Sequence, residues 1–223
     1  MTSSYKIDME IAGPTAMWTR PDTGDCPVSY PAPTYSAVKG VFESILWGPA
    51  VEVIPKKVEI CSPVRYHAYT TNYGGPLRSA KSCKDGSSYQ LLATVLIGVC
   101  YKLYAEIRPN PHKDKLPENA LKWDSRTTSP GHAYQDIFNR RLRLGQCYSI
   151  PSFGWREFTP SYFGPLRTDT EVLSSMPDII IPSMLREVFG GGYNSPVSYV
   201  YDQNVIITAG CLIYTDRGDR HAE

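Results

Sequence analysis

Apolar and polar residues alternate strictly at the start of the chain. Tyr5, Ile7, Met9 and Ile11 fall on one side of a strand, with Lys6, Asp8 and Glu10 on the other. Gly13-Pro14 ends the pattern, and a Pro- and Gly-rich loop from Thr15 to Pro33 carries Trp18, Arg20 and Tyr30. The period then becomes helical. Ala37, Val38, Val41, Phe42 and Ile45 form one stripe, Thr34 or Ser36 supplies the N-cap, and Gly48-Pro49 stops the helix. Lys39 and Glu43 sit four apart on another face. Strand patterns return over Val51 to Ile60 and Val64 to Thr71. From Asn72 to Ser88 the chain is polar and Gly-rich, the composition of a mobile hairpin tip, with Arg78, Lys81 and Lys84 in it. Tyr89 to Ile107 is rich in β-branched and aromatic residues and predicts strands, and Pro109 to Pro130 reads as a long loop.

A second helix is predicted from about His132 to Leu144, with Ile137, Arg141 and Leu144 at helical spacing and Gly145 as its C′ residue. Arg140, Arg141 and Arg143 cluster at its C-terminal end, where positive charge suits the helix dipole. Cys147 to Pro165 is aromatic and punctuated by Gly and Pro. The tail predicts a hairpin, Val197 to Tyr201 and Val205 to Ile207, turning at Asp202-Gln203-Asn204. The order strand, helix, strands, helix, strands predicts an α+β fold with helices on one face of an antiparallel sheet. A split βαβ, or ferredoxin-like, arrangement is the natural candidate. No repeat of solenoid period is visible.

Composition narrows the function classes. The 223 residues are 42% hydrophobic and 20% charged, enough for a proper core in one large domain or two small ones. A net charge of +1 gives no global argument for nucleic acid, so any RNA site must come from local clusters. The longest apolar run, Leu91 to Tyr101, is far short of a membrane span, and no basic-then-apolar leader opens the chain; no membrane and a cytoplasmic location are expected. The cysteines (Cys26, Cys61, Cys83, Cys100, Cys147 and Cys211) form no C-x-x-C pair, so free thiols are expected, with no metal and no cofactor.

Two blocks carry a family resemblance. The first is Trp18-Thr19-Arg20-Pro21-Asp22, then Val28-Ser29-Tyr30, then Pro33-Thr34-x-Ser36-Ala37-x-x-Gly40 running into Phe42-Glu43-Ser44-Ile45-Leu46-Trp47. The second is Ile137-Phe138-Asn139-Arg140-Arg141, then Gly145-Gln146-Cys147, then Gly154-Trp155-Arg156-Glu157-Phe158. In spacing and order they resemble the Cas family-five proteins of type I-C (Dvulg) CRISPR systems, within the RAMP superfamily. The resemblance covers the first three-quarters of the chain and implies a ferredoxin-like, RRM-like RAMP domain over residues 1–165, with a hairpin excursion around 72–88. A small C-terminal β region would occupy residues 166–223. It further implies a Cascade subunit that grips the five-prime handle of CRISPR guide RNA beside the family-seven backbone and family-eight large subunits. Target DNA is then met through the complex.

Gripping RNA needs cations for phosphate and flat faces for unstacked bases. The candidates are Trp18, Arg20, Tyr30, Ser36, Lys39, Arg78, Lys81, Arg140, Arg141, Arg143 and Arg156. For Trp18 and Tyr30 the competing reading is that they pin a long loop to the core; for Arg156 it is a buried ion pair with Glu157. The lysines and Arg78 of the 72–88 excursion are expected to insert between guide and neighbouring subunit. The resemblance also implies metal-independent cutting of precursor RNA, by a tyrosine near the end of the first helix and a lysine–histidine pair before the second. Here the tyrosine position is Leu46, and the pair falls on Ala133-Tyr134, or on His132-Ala133 with a gap moved by one residue. His132 and Tyr134 remain as catalytic candidates, with Tyr101, Lys102 and His112 as further stand-ins. A binding-only subunit is the first reading and an active endoribonuclease the second. An unrelated α+β enzyme has no phosphate loop, nucleophile elbow or metal motif to support it.

Overall fold

The computed structural model describes residues 5–73, 80–85, 89–110, 118–119, 121–122, 129–188 and 198–215. Strand β1 (Tyr5–Ala16) leads through a 3-10 turn at Pro21–Thr23 into α1 (Tyr35–Ile45). Then come β2 (Val51–Ile60), β3 (Tyr66–Tyr73), the short α2 (Ala80–Lys84) and β4 (Tyr89–Pro109). The long helix α3 (Pro130–Arg143) and β5 (Tyr162–Gly164) follow, then β6 (Ile179–Glu187), β7 (Val200–Thr208) and β8 (Cys211–Ile213).

Among the described residues these strands make one eight-stranded sheet in the order β5-β1-β4-β2-β8-β7-β6, with β3 also paired to β4; every pairing is antiparallel. Both long helices cover the face carrying Ile7, Met9, Ile11, Leu103, Ala105 and Ile107, so the α+β class stands. Phe42 of α1 meets Phe138 of α3 with ring centroids 5.7 Å apart, both fully buried. Each such ring contributes about 1.5–3 kcal/mol by leaving water.

Local chemistry explains the element ends. Thr34 is the N-cap of α1, accepting from the Ala37 N–H at 3.2 Å, while Ser36 lies inside the first turn and contacts the Thr34 hydroxyl. In β2 a register shift between Pro55 and Lys57 moves the buried positions from Val51 and Val53 to Val58 and Ile60. The segment from Tyr89 is one 21-residue strand rather than several. It bends where Gly98, at φ +63°, lets it pass from pairing β2 to pairing β3.

Two predictions are corrected. The buried stripe of α3 is Tyr134, Phe138 and Leu142, not Ile137, Arg141 and Leu144, because the helix is phased to α1 through the aromatic pair. The tail does not turn at Asp202-Gln203-Asn204; those residues lie inside β7, paired to β6. Asp202 stays in the strand as partner of buried Arg186, at 3.0 Å. The tight turn is Ala209-Gly210 between β7 and β8, both residues at positive φ, as a two-residue hairpin requires.

Segment 165–173 crosses the sheet face opposite the helices. There Arg167 and Thr170 hold the fully buried Glu10 carboxylate, at 2.7 and 2.9 Å, and Lys102 donates to the Thr170 carbonyl at 2.6 Å. Burial pushes the Glu10 carboxyl up, but the backbone and side-chain hydrogen bonds from Arg167 and Thr170 outweigh it and hold the group below its ordinary value.

Candidate nucleic-acid interface

The chain from Trp18 to Tyr30 folds back on itself as a narrow ribbon. Thr19 bridges Ser29, the Arg20 N–H donates to the Val28 carbonyl at 2.9 Å, and the Tyr30 N–H donates to the Trp18 carbonyl at 2.8 Å. Trp18 fixes the ribbon from beneath. It is only 3% exposed, lies edge-on to Tyr101 and Phe153, and donates its indole N–H to the Tyr101 hydroxyl at 3.3 Å. That burial corrects the expectation of a stacking face at Trp18: the side chain is a core anchor. Tyr30 is buried as well. Its hydroxyl donates to the Ser183 carbonyl and accepts the Leu185 N–H, tying the ribbon to the edge of β6.

Arg20 stands at the surface above this anchor. Its Nε and Nη2 reach the two Asp22 oxygens at 3.1 and 2.6 Å, and its guanidinium carbon lies 5.9 Å from the Tyr30 ring centroid. The hydrogen bond to Arg20 lowers the Asp22 pKa, and the same bond raises that of Arg20. Beside the pair lies a depression of about 560 Å³, walled by Tyr30, Tyr66 and Ile179 to Ser183.

A second depression, of about 570 Å³, lies where α1 and α3 end together; it is lined by Leu46, Trp47, Pro49, Tyr134, Arg140 and Arg141. Arg141 donates to the Ile45 carbonyl at 3.0 Å and so holds the end of α1. Arg140 and Arg143 are exposed and share a neighbouring depression with Asp8 and Asn139. The loop after α3 folds over the same end, where the Tyr148 and Ser149 N–H groups both donate to the Ser44 carbonyl, at 2.8 and 3.0 Å. It presents Tyr148, 78% exposed, and Trp47, three residues after Ser44, is exposed as well.

The catalytic candidates do not converge. Tyr134 is buried and donates its hydroxyl to the Leu46 carbonyl, and burial pushes its phenol well above the ordinary value. His132 points to solvent, with Nδ1 3.4 Å from Asp136 and its ring edge-on to Tyr5. Tyr101 is buried under Trp18, Lys102 is held by Thr170, and His112 lies outside the described residues. The remaining candidates are dispersed. Lys39 contacts Glu52 at 3.4 Å, Lys81 is exposed on α2, and Arg78 lies outside the described residues. Arg156 and Glu157 are both exposed, which removes the buried ion pair. Composition alone did not single out Trp47, Tyr148, Tyr66 or Ile180. A signal existed for Ile180, because in a run of three isoleucines on a strand the middle one must face away from its neighbours.

Comparison with known proteins identifies the family. The model of the CRISPR-associated Cas5 proteins, in its Cas5d form, matches residues 7–181. The chain belongs to this family. A CRISPR pre-crRNA endoribonuclease Cas5d of Thermus thermophilus is 30% identical over 161 residues, 72% of this chain and 64% of that protein. One of Mannheimia succiniciproducens is 30% identical over 173 residues, 71% of each chain. The match thus spans just under two-thirds of the Thermus protein. Two crystal structures share the fold of this Cas5-family chain. One, of a CRISPR-associated protein, has a TM-score of 0.71 at 16% identity, covering 98% of this chain and 96% of the other. The other, of a functionally uncharacterized protein from Streptococcus mutans, has a TM-score of 0.72 at 14% identity, covering 98% and 97%. Among the described residues no helix is long and apolar enough to cross a membrane.

Proposed function

We propose that this Cas5-family chain is a guide-RNA-binding subunit of a type I-C CRISPR surveillance complex, that it grips the five-prime handle, and that it does not itself cut RNA. One observation carries the second half. At the shared end of α1 and α3 the tyrosine position of the family is Leu46, and among the described residues the phenol that reaches it, Tyr134, is buried and donates its hydroxyl to the Leu46 carbonyl. Metal-independent cutting needs a base for the ribose 2′-hydroxyl and an acid for the leaving oxygen. A buried phenol with a raised pKa that is already hydrogen-bonded fills neither role.

Binding is supported by what remains at that end: exposed Trp47 and Tyr148 for bases, Arg140 and Arg143 for phosphates. The strand order β5-β1-β4-β2, with α1 and α3 as the crossings, supports a ferredoxin-like, RRM-like reading of residues 1–165. Residues 166–223 would then extend that sheet through β8. The excursion after β3 would insert between the guide and the next subunit, with the family-seven and family-eight subunits as neighbours in the cytoplasm. The test is a titration of labelled repeat RNA against a shuffled RNA of equal length. Preference for the repeat supports the proposal, and equal affinity contradicts it.

The second reading, an active endoribonuclease, rests on the names of the relatives and on solvent-facing His132 beside Asp136. Repeat cutting that disappears in His132→Ala would establish it.

A further inference from the structure

We propose that the depression beneath β6 receives one unstacked purine base of the bound RNA, a contact separate from the arginine-rich end of α1 and α3. The inference rests on the RNA-binding reading above. Its walls have the chemistry of a base pocket. Tyr66 is 47% exposed and offers a ring on one side, and Ile180, 66% exposed, offers an apolar surface on β6. About 560 Å³ is room for a nucleoside rather than for a helix or a strand.

The rim supplies recognition. Arg20 and Asp22 are locked side by side, so a donor and an acceptor stand next to each other at the pocket mouth. A purine edge carries donors and acceptors side by side in the same way. Because Asp22 spends part of the charge of Arg20, the pair suits an uncharged base edge better than a bare phosphate. The pocket is also preorganised. Thr23 donates its hydroxyl to the Arg20 carbonyl at 3.0 Å and accepts the Val28 N–H at 3.2 Å, and Trp18 pins the ribbon to the core. Tyr30 holds the far wall in place through Ser183 and Leu185. Little ordering is left for the moment of binding.

The test measures fluorescence anisotropy of the full chain with labelled single-stranded RNA from the five-prime segment of the repeat, each base in turn removed to leave an abasic site. The expected result is one purine position whose removal weakens binding about tenfold, the usual scale of base–aromatic stacking. In Tyr66→Ala the intact RNA should bind about tenfold more weakly and removal of that same base should cost nothing further. Tyr66→Phe, which keeps the ring, should retain the dependence, and an unchanged thermal midpoint in Tyr66→Ala separates loss of the ring from misfolding. Wild-type binding that no single base removal affects, or an unchanged dependence in Tyr66→Ala, overturns the pocket while leaving RNA binding standing. Absence of any wild-type binding overturns both.

Discussion

The depression beneath β6 and the end of α1 and α3 both set arginine beside aromatic and apolar side chains, and they differ in how that charge is held. At the shared end of α1 and α3, Arg140 and Arg143 are exposed, and no acidic partner within ion-pair distance is seen among the described residues. Beneath β6, Arg20 is committed to Asp22 at 2.6 Å. Unpaired arginines attract phosphate, and their contribution fades as salt rises. A paired arginine beside a tyrosine and an isoleucine contributes shape and hydrogen bonding instead. The first region should hold the RNA; the second should set which base sits where.

That contrast can be broken most forcefully at the anchor beneath the ribbon. Trp18→Ala removes a buried indole and should cost about 3–5 kcal/mol of stability, seen as a lower thermal midpoint. If Trp18 instead met RNA, the midpoint would hold and affinity alone would fall. A second change acts on the platform under both regions. The folded-state pKa of Glu10 is depressed, so its stabilising contribution is present above its unfolded value, about 4.3, and is lost as pH falls through the folded pKa. In Arg167→Ala the burial penalty stands without its main compensation, so acid unfolding should begin at a higher pH than in the wild type; an unchanged acid transition would contradict the role given to Arg167. Substituting Arg140→Gln and Arg143→Gln should weaken RNA binding at low salt and lower the slope of log affinity against log salt by about 0.7 for each lost phosphate contact. Asp22→Asn, which leaves Arg20 without its carboxylate, should steepen that slope rather than lower it. The smallest effect belongs to Tyr134→Phe, about 1 kcal/mol of stability from one lost hydrogen bond and no change in how repeat RNA fares.

The sequence was most legible where periodicity was undisturbed. Strand β1, helix α1 with its Thr34 cap, and the family blocks all follow from local pattern. Errors arose where long-range packing set the outcome. The phase of α3 depends on Phe42, ninety-six residues before Phe138, and no window along the helix contains that information. Asp202 looked like a turn residue because its partner, Arg186, lies on a different strand. The site was legible in residue type and not in orientation. Trp18, Tyr30 and Tyr134 belong to aromatic-and-basic stretches but point inward, whereas Trp47, Tyr66 and Tyr148 point outward. Trp18, Tyr30, Trp47 and Tyr148 lie in irregular chain, where no period links position to face, so only the fold sorts the one from the other.

This chain is proposed to hold guide RNA without cutting it. The most direct measurement incubates the purified chain with end-labelled repeat RNA in EDTA and runs the same samples on native and denaturing gels. The expected outcome is RNA that is retarded on the native gel and intact on the denaturing one. Discrete cleavage at the base of the repeat hairpin would contradict it.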